Sequence, residues 1–398
     1  MKFTLISSCV ALACMALAVE AAPSGKKINV PLSKNANYKP NAKRAIEKAN
    51  AKYARFRSSS SSSSSSSCGS AGTESSGSVP VTDDGNDIEY YGEVTVGTPG
   101  IKLKLDFDTG SSDLWFASTL CTNCGSSQTK YDPSQSSTYA KDGRTWSISY
   151  GDGSSASGIL GKDTVNLGGL KIKNQIIELA KREASSFSSG PSDGLLGLGF
   201  DSITTVSGVQ TPMDNLISQG LISNPVFGVY LGKESNGGGG EYIFGGYDSS
   251  KFSGDLTTIA VDNSNGWYGI TIDGASISGS QVSDSFSAIL DTGTTLLILP
   301  SNVASSVAQA YNANDNGDGT YNINCDTSEL QPLVFTIGGS TFEVPTDSLI
   351  FEQDGNTCVA GFGYGQDDFA IFGDVFLKNN YVVFNPQVPQ VQIAPISN

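Results

Sequence analysis

From about Val79 to its end the chain alternates short apolar runs with Gly, Asn-Gly and Asp-Gly. Tyr90 to Val96, Ile101 to Phe107, Trp146 to Tyr150, Ile270 to Ile272 and Tyr381 to Phe384 are brief, β-branched or aromatic, and bounded by turn formers. That is the pattern of strands. Helical periodicity is sparse there, with Pro212 to Gln219 and Asn302 to Tyr311 the best candidates, so a mainly β body with small helices is predicted. Upstream of it Ala42, Ala45, Ile46, Ala49, Tyr53 and Phe56 fall near helical spacing with Lys and Arg between them. An amphipathic helix is expected there.

Two segments precede the body. Met1 and Lys2 lead into a mostly apolar run ending at Val19, with small residues around Ala21, the form of a secretory signal. Its strongest stretch, Val10 to Val19, is too short to span a bilayer. Residues 22–68 then carry ten basic side chains against the single acid Glu47, a net +9, while the remainder after residue 68 has 13 basic and 37 acidic residues, a net −24. A split this clean suggests that the basic piece docks on the acidic one; a basic helix on a membrane surface is the plainer alternative. Ten consecutive serines, Ser58 to Ser67, have nothing to bury and read as a flexible, cleavable linker. An acidic body is a poor partner for nucleic acid.

The chain has 398 residues and no histidine. The zero removes Ser-His-Asp and Cys-His triads and imidazole-dependent zinc sites. Acid–base chemistry must rest on carboxylates, Lys, Tyr or Cys.

Internal repetition points to carboxylates. Leu105-Asp106-Phe107-Asp108-Thr109-Gly110-Ser111 recurs 183 residues later as Ala288-Ile289-Leu290-Asp291-Thr292-Gly293-Thr294. Each copy has an apolar Gly segment downstream, Leu195-Leu196-Gly197 and Ile371-Phe372-Gly373, 89 and 82 residues after its aspartate. One Asp-Thr-Gly is an ordinary turn, but two with matched partners suggest two related lobes, each bringing one carboxylate to a shared cleft. Such a pair shares a proton, leaving one member as base and the other as acid. Gly110 and Gly293 let backbone amides approach the carboxylates, and Ser111 and Thr294 can donate hydrogen bonds that orient them. Asn314 to Gly319 looks superficially like a calcium loop, but the twelfth position falls on Cys325, so a hairpin turn is expected.

Asp108-Thr109-Gly110-Ser111, Tyr150-Gly151-Asp152-Gly153, Asp291-Thr292-Gly293-Thr294 and the two apolar Gly segments resemble the pepsin family of aspartic proteases from Val79 to the C-terminus. Within it, Asn86-Asp87-Ile88-Glu89-Tyr90-Tyr91 and Leu377-Lys378-Asn379-Asn380-Tyr381 are similar to the secreted enzymes of mucoralean fungi. The resemblance implies a mainly β, bilobal fold of two barrel-like lobes around a cleft. It implies a signal at 1–21, an inhibitory propeptide at 22–68, an N-terminal lobe at 69–255 and a C-terminal lobe at 256–398. Asp108 and Asp291 would be catalytic, holding a water. Tyr150, Gly151 and Asp152 would form a flap, with Trp115 the partner of the Tyr150 hydroxyl. Thr109 and Thr292 would bond across the lobes, and Phe187, Leu195 and Ile298 would line the cleft. Asp106 and Asp152 would add carboxylates for a substrate Lys, and Lys52-Tyr53 would block the dyad. No cofactor or metal is implied; partners would be peptide substrates and the chain's own propeptide, around a secreted monomer, with neither nucleic acid nor membrane.

Cys121, Cys124, Cys325 and Cys358 read as two disulfides of an exported protein, with three connectivities open on spacing alone. The resemblance implies Cys121–Cys124 and Cys325–Cys358. A relative that kept the fold but lost catalysis would be a binding protein; both aspartates and both following glycines are intact, which favours an enzyme.

Overall fold

The computed structural model describes residues 41–53, 76–83, 90–149, 154–233, 235, 238–365 and 367–397. The expected signal, most of the basic segment with Phe56 and Cys68, and the flap residues Tyr150, Gly151, Asp152 and Gly153 lie outside the described residues.

Eight strands open the body: β1 (Gly77–Asp83), β2 (Tyr90–Val96), β3 (Ile101–Asp108), β4 (Leu114–Ala117), β5 (Ala140–Ser149), β6 (Ser155–Leu167), β7 (Leu170–Glu183) and β8 (Gly194–Gly197). Period-two patterning decides their faces. In β3, Leu103, Leu105 and Phe107 are buried while Lys102 and Lys104 are exposed. The order β2-β3-β8-β4-β7-β6 closes on itself, because β6 returns to β2 through Thr95↔Asn166 and Val96↔Val165. The ring surrounds Leu103, Leu105, Phe116, Leu179 and Leu196, all fully buried.

β1 is an interior strand. It pairs with β2 on one side and with Gly240–Phe244 on the other, and the same sheet continues through Phe227–Leu231, Asn380–Asn385, Gln390–Pro395 and Thr257–Ala260. Phe227 stacks on Phe384 at 4.8 Å, joining the middle of the chain to its end. A second sheet holds Gly269–Ile272, Phe286–Leu290, Ala370–Phe372, Leu297–Leu299 and Thr357–Tyr364; a third has four strands.

The sequence repeat is also a topological repeat. β3 runs parallel to β8 with Asp108 opposite Gly197, and Phe286–Leu290 runs parallel to Ala370–Phe372 with Leu290 opposite Phe372. In each unit the apolar Gly strand then pairs antiparallel with the next strand, β4 or Leu297–Leu299. This is the bilobal pepsin-like architecture.

The predicted helices occur at Pro212–Ser218 and Ser301–Ala310, within one residue of the sequence reading at each end. The first starts at a Thr211 cap that exchanges hydrogen bonds with Asp214, followed by proline. Asn314–Asp315 and Thr320–Ile323 form the expected hairpin. Upstream, α1 (Ala42–Tyr53) buries Ala42, Ile46, Ala49 and Tyr53 along one face, with Ala45 half-buried, and turns Lys43, Arg44, Glu47 and Lys48 to solvent. It rests on Thr320–Ile323 and Thr357–Tyr364. Among the described residues no helix is long and apolar enough to cross a membrane.

Candidate active site

Both Asp-Thr-Gly turns sit where a central strand ends and the chain must reverse, so their carboxylates face each other at the base of a cleft. The turns are bonded to one another. Thr109 Oγ1 donates to Leu290 O at 2.8 Å and accepts from Thr292 N at 3.0 Å. Reciprocally, Thr292 Oγ1 donates to Phe107 O at 2.6 Å and accepts from Thr109 N at 3.0 Å. All four groups are buried, so each bond is protected from competition by water.

Each carboxylate is then fixed from its own side. Gly110 N and Ser111 Oγ donate to Asp108 at 2.8 and 2.5 Å. Gly293 N donates to Asp291 at 3.0 Å, and Thr294 Oγ1 donates to its other oxygen. A Cβ on Gly293 would come 2.4 Å from Asp108 Oδ1, so glycine there is required by the neighbouring carboxylate.

The cleft is occupied by α1. Lys52 Nζ lies 2.7 Å from Asp108 Oδ1 and 2.9 Å from Asp291 Oδ1. Tyr53 OH donates to Asp291 Oδ2 at 2.6 Å, its ring edge-on to Trp267 at 4.8 Å and to Phe369 at 5.7 Å. Burial alone would lower the Lys52 pKa, but the two carboxylates outweigh it and hold the ammonium charged. The carboxylates divide. Burial and the neighbouring Asp291 charge raise Asp108 against the opposing pull of Lys52. For Asp291, burial is overcome by Lys52 and by the hydrogen bonds of Thr294 and Tyr53, which hold its pKa below the usual range. Tyr53 itself is raised by burial and by Asp291.

The other residues singled out from sequence are distributed around this centre. Trp115 on β4 is buried, edge-on to Phe187 at 5.0 Å and opposite Leu195 in the sheet. Asp106 is buried between Tyr91 and Leu195 in register. Ile298 is fully buried in Leu297–Leu299, paired with Ile371 and Gly363, and has no exposed surface in this state. Disulfides join Cys121 to Cys124 and Cys325 to Cys358. Trp267 and Phe369, which box the Tyr53 ring, were not found from sequence. Each sits in a loop without a repeat partner, so no pattern marked them.

Closed ring, repeated strand topology and cross-bonded Asp-Thr-Gly turns define a class, the pepsin-like aspartic proteases. The family model for eukaryotic aspartyl proteases matches residues 89–396, and the chain belongs to that family. It is 80% identical to Rhizopuspepsin-2 of Rhizopus niveus over 397 residues and 70% identical to Rhizopuspepsin of Rhizopus chinensis over 397 residues, covering 100% of both chains in each case. It is 59% identical to Syncephapepsin of Syncephalastrum racemosum over 398 residues, covering 99% of both chains. The protein is a pepsin-family aspartic endopeptidase, an acid protease similar to those mucoralean enzymes.

Proposed function

We propose that Asp108 and Asp291 are the catalytic pair and that the chain is a secreted precursor silenced by α1. What carries the reading is the position of one small group. The Lys52 ammonium lies within hydrogen-bond distance of both carboxylates, so a water of the same size there would touch both once the helix has gone. The ionised carboxylate takes a proton from that water as its oxygen attacks the scissile carbonyl carbon. The protonated carboxyl gives its proton to the carbonyl oxygen, forming a neutral tetrahedral diol. As the diol collapses and its C–N bond breaks, one hydroxyl gives its proton to the ionised carboxylate and the protonated carboxyl gives its own to the leaving nitrogen, which regenerates the pair. Ser111, Thr294 and the turn amides keep the carboxylates in place while their charges exchange.

Silencing follows from the same contact. Lys52 cannot leave while both carboxylates compete for it. Because Asp291 is held below the usual carboxylate range in the blocked state, its pull persists above that range and fades as pH falls through the lowered value. Acid therefore loosens the helix. The signal-like start supports export, and the cleft is expected to favour large apolar side chains around the cut. Asp152, with Asp106, is expected to admit Lys just before the cut, its stem along apolar walls and its ammonium on a carboxylate.

The test is digestion of an unrelated denatured protein by the matured chain at acid pH, with and without the transition-state mimic pepstatin. In parallel, the intact precursor and its Lys52→Ala variant are held near neutral pH and assayed with a pulse of peptide substrate. Pepstatin-sensitive cleavage and early activity of Lys52→Ala are expected. Cleavage indifferent to pepstatin would end the dyad assignment, and a Lys52→Ala precursor as silent as the parent would end the blocking role.

A further inference from the structure

The floor beneath α1 is made of glycine. A Cβ on Gly319 would meet Ile46 Cγ2 at 2.9 Å, one on Gly363 would meet Ile46 Cδ1 at 2.4 Å, and one on Gly365 would meet the Asn50 amide group at 1.9–2.4 Å. These glycines are demanded by different things. Gly319 has φ +94°, a left-handed conformation that calls for glycine with or without a helix above it. A Cβ on Gly363 would also strike the Gly319 carbonyl oxygen at 2.5 Å, so the body itself forbids one. Gly365 differs from both. Its φ is outside the left-handed region, and the three atoms nearest to its missing Cβ all belong to Asn50.

Taking α1 as the blocking helix proposed above, we infer that the groove over Gly319, Gly363 and Gly365 is a docking surface matched to that helix, and that Gly365 reads residue 50. The partner it fits is a helix with a small, branched, small stripe, here Ala42, Ile46 and Ala49, followed by a short side chain at position 50. Ile46 is the anchor, 2% exposed and lodged against two of the glycines. Position 50 sets the register, because Lys52 follows it by two residues, about 3 Å along the axis. A Cβ at 365 needs Asn50 to retreat from 1.9 Å to the 3.4 Å of ordinary contact. One methyl can be met by a swing of the Asn50 side chain alone. The two further methyls of Val leave that swing less room and push on the helix itself, which carries the ammonium away from contacts of 2.7 and 2.9 Å. The specificity of the body for its own propeptide thus lies partly outside the carboxylates.

Four precursors close a cycle: the parent, Gly365→Val, Asn50→Ala and the double variant. The readout is the rate of appearance of activity at one mildly acid pH, each scaled to the same chain after complete activation. Gly365→Val is expected to activate at least about tenfold faster, and adding Asn50→Ala, which removes the obstructing amide, to bring the rate back within about threefold of the parent. Gly365→Ala gives an intermediate rate and replaces Val if that chain does not fold. A Gly365→Val precursor as slow as the parent, or a double variant as fast as Gly365→Val alone, overturns the docking role. Lys52→Ala separates the two readings. If it activates early while Gly365→Val does not, only the groove is wrong; if neither activates early, α1 is not the blocking element.

Discussion

Glu178 lies on β7, 1% exposed, in register with Trp115 and beside the carboxyl group of Asp113, which is equally buried. Asp113 already accepts from Thr205 N and Oγ1 at 2.9 and 3.1 Å. The cation facing the pair, Arg144, is engaged by Asp142 at 2.8 and 3.1 Å and offers Glu178 only a weak opposing pull. Burial, followed by the Asp113 charge, therefore raises the Glu178 pKa well above its ordinary value of 4.5. For an acid whose pKa is higher folded than unfolded, the unfolded chain loses its proton first. Stability is thus unaffected below pH 4.5 and falls by about 1.4 kcal/mol per pH unit above it, until the folded group also ionises.

Glu178→Gln removes this dependence. The amide keeps the shape, can still donate to Asp113, and never needs to ionise. The assay is urea unfolding by tryptophan fluorescence between pH 4 and 7, with both chains carrying Asp108→Asn so that self-digestion does not distort the transitions. At pH 4 the two should lie within about 1 kcal/mol of each other, the ordinary worth of a substituted hydrogen bond. Above pH 5 the parent should lose stability more steeply, by the one-proton slope, and fall below the variant. Parallel curves would mean that Glu178 is already ionised in the folded protein, and the reasoning from burial and Asp113 would be refuted.

Three further outcomes are expected. Asp108→Asn or Asp291→Asn should lower kcat by at least about 10²–10⁴-fold with little change in the thermal midpoint, since an amide is nearly isosteric but neither holds the shared proton nor takes one; substantial residual turnover in a steady-state peptide assay would exclude that residue. Thr109→Val should cost at least about 2 kcal/mol in urea unfolding, because Leu290 O and Thr292 N lose a buried partner together, whereas a surface threonine should cost under about 0.5 kcal/mol. Asp152→Ser should reduce kcat/KM for cleavage after Lys by about tenfold or more and after Phe much less, the ~1.5–3 kcal/mol of a charge-assisted hydrogen bond; equal losses would show that residue 152 shapes the flap without selecting charge.

The strands and small helices were legible because local pattern alone specifies them: Tyr90–Val96 was bounded to the residue, and Pro212–Ser218 is framed by its own cap and proline. The repeat marked the candidate site for a different reason. Asp108 and Asp291 each needed the same local turn, so identical chemistry left identical letters. Residues whose meaning depends on a distant neighbour left none. Trp267 is one aromatic among many until Tyr53 arrives beside it, and Gly365 is one glycine among 46 until Asn50 is placed above it. Glu178 reads as an ordinary polar position of an alternating strand; it lies on the face opposite Leu179, outside the ring, and the Trp115 and Asp113 beside it come from far along the chain. The charge split pointed to docking in general, but the contact is made through the apolar face of α1 and Lys52, with Lys43 and Arg44 facing solvent.

The sheet that begins at β1 is finished by Asn380–Asn385 and Gln390–Pro395, and the two Asp-Thr-Gly turns hold each other across 183 residues. A chain emerging from the ribosome reaches β1 early and those last strands only as synthesis ends. Contacts of such long range form late and slowly, because most of the loop-closure entropy has to be met before they return anything. On the catalytic pair proposed above, a ribosome-bound fragment stopping short of Asp291 has one carboxylate and no partner for it, so it has no peptidase to turn on itself or its neighbours. By the time the second aspartate can dock, Lys52 has long been made and is waiting. With α1 as the blocking helix proposed above, the order of the segments along the chain supplies a safeguard in time that needs no additional component: the plug is always older than the site it closes.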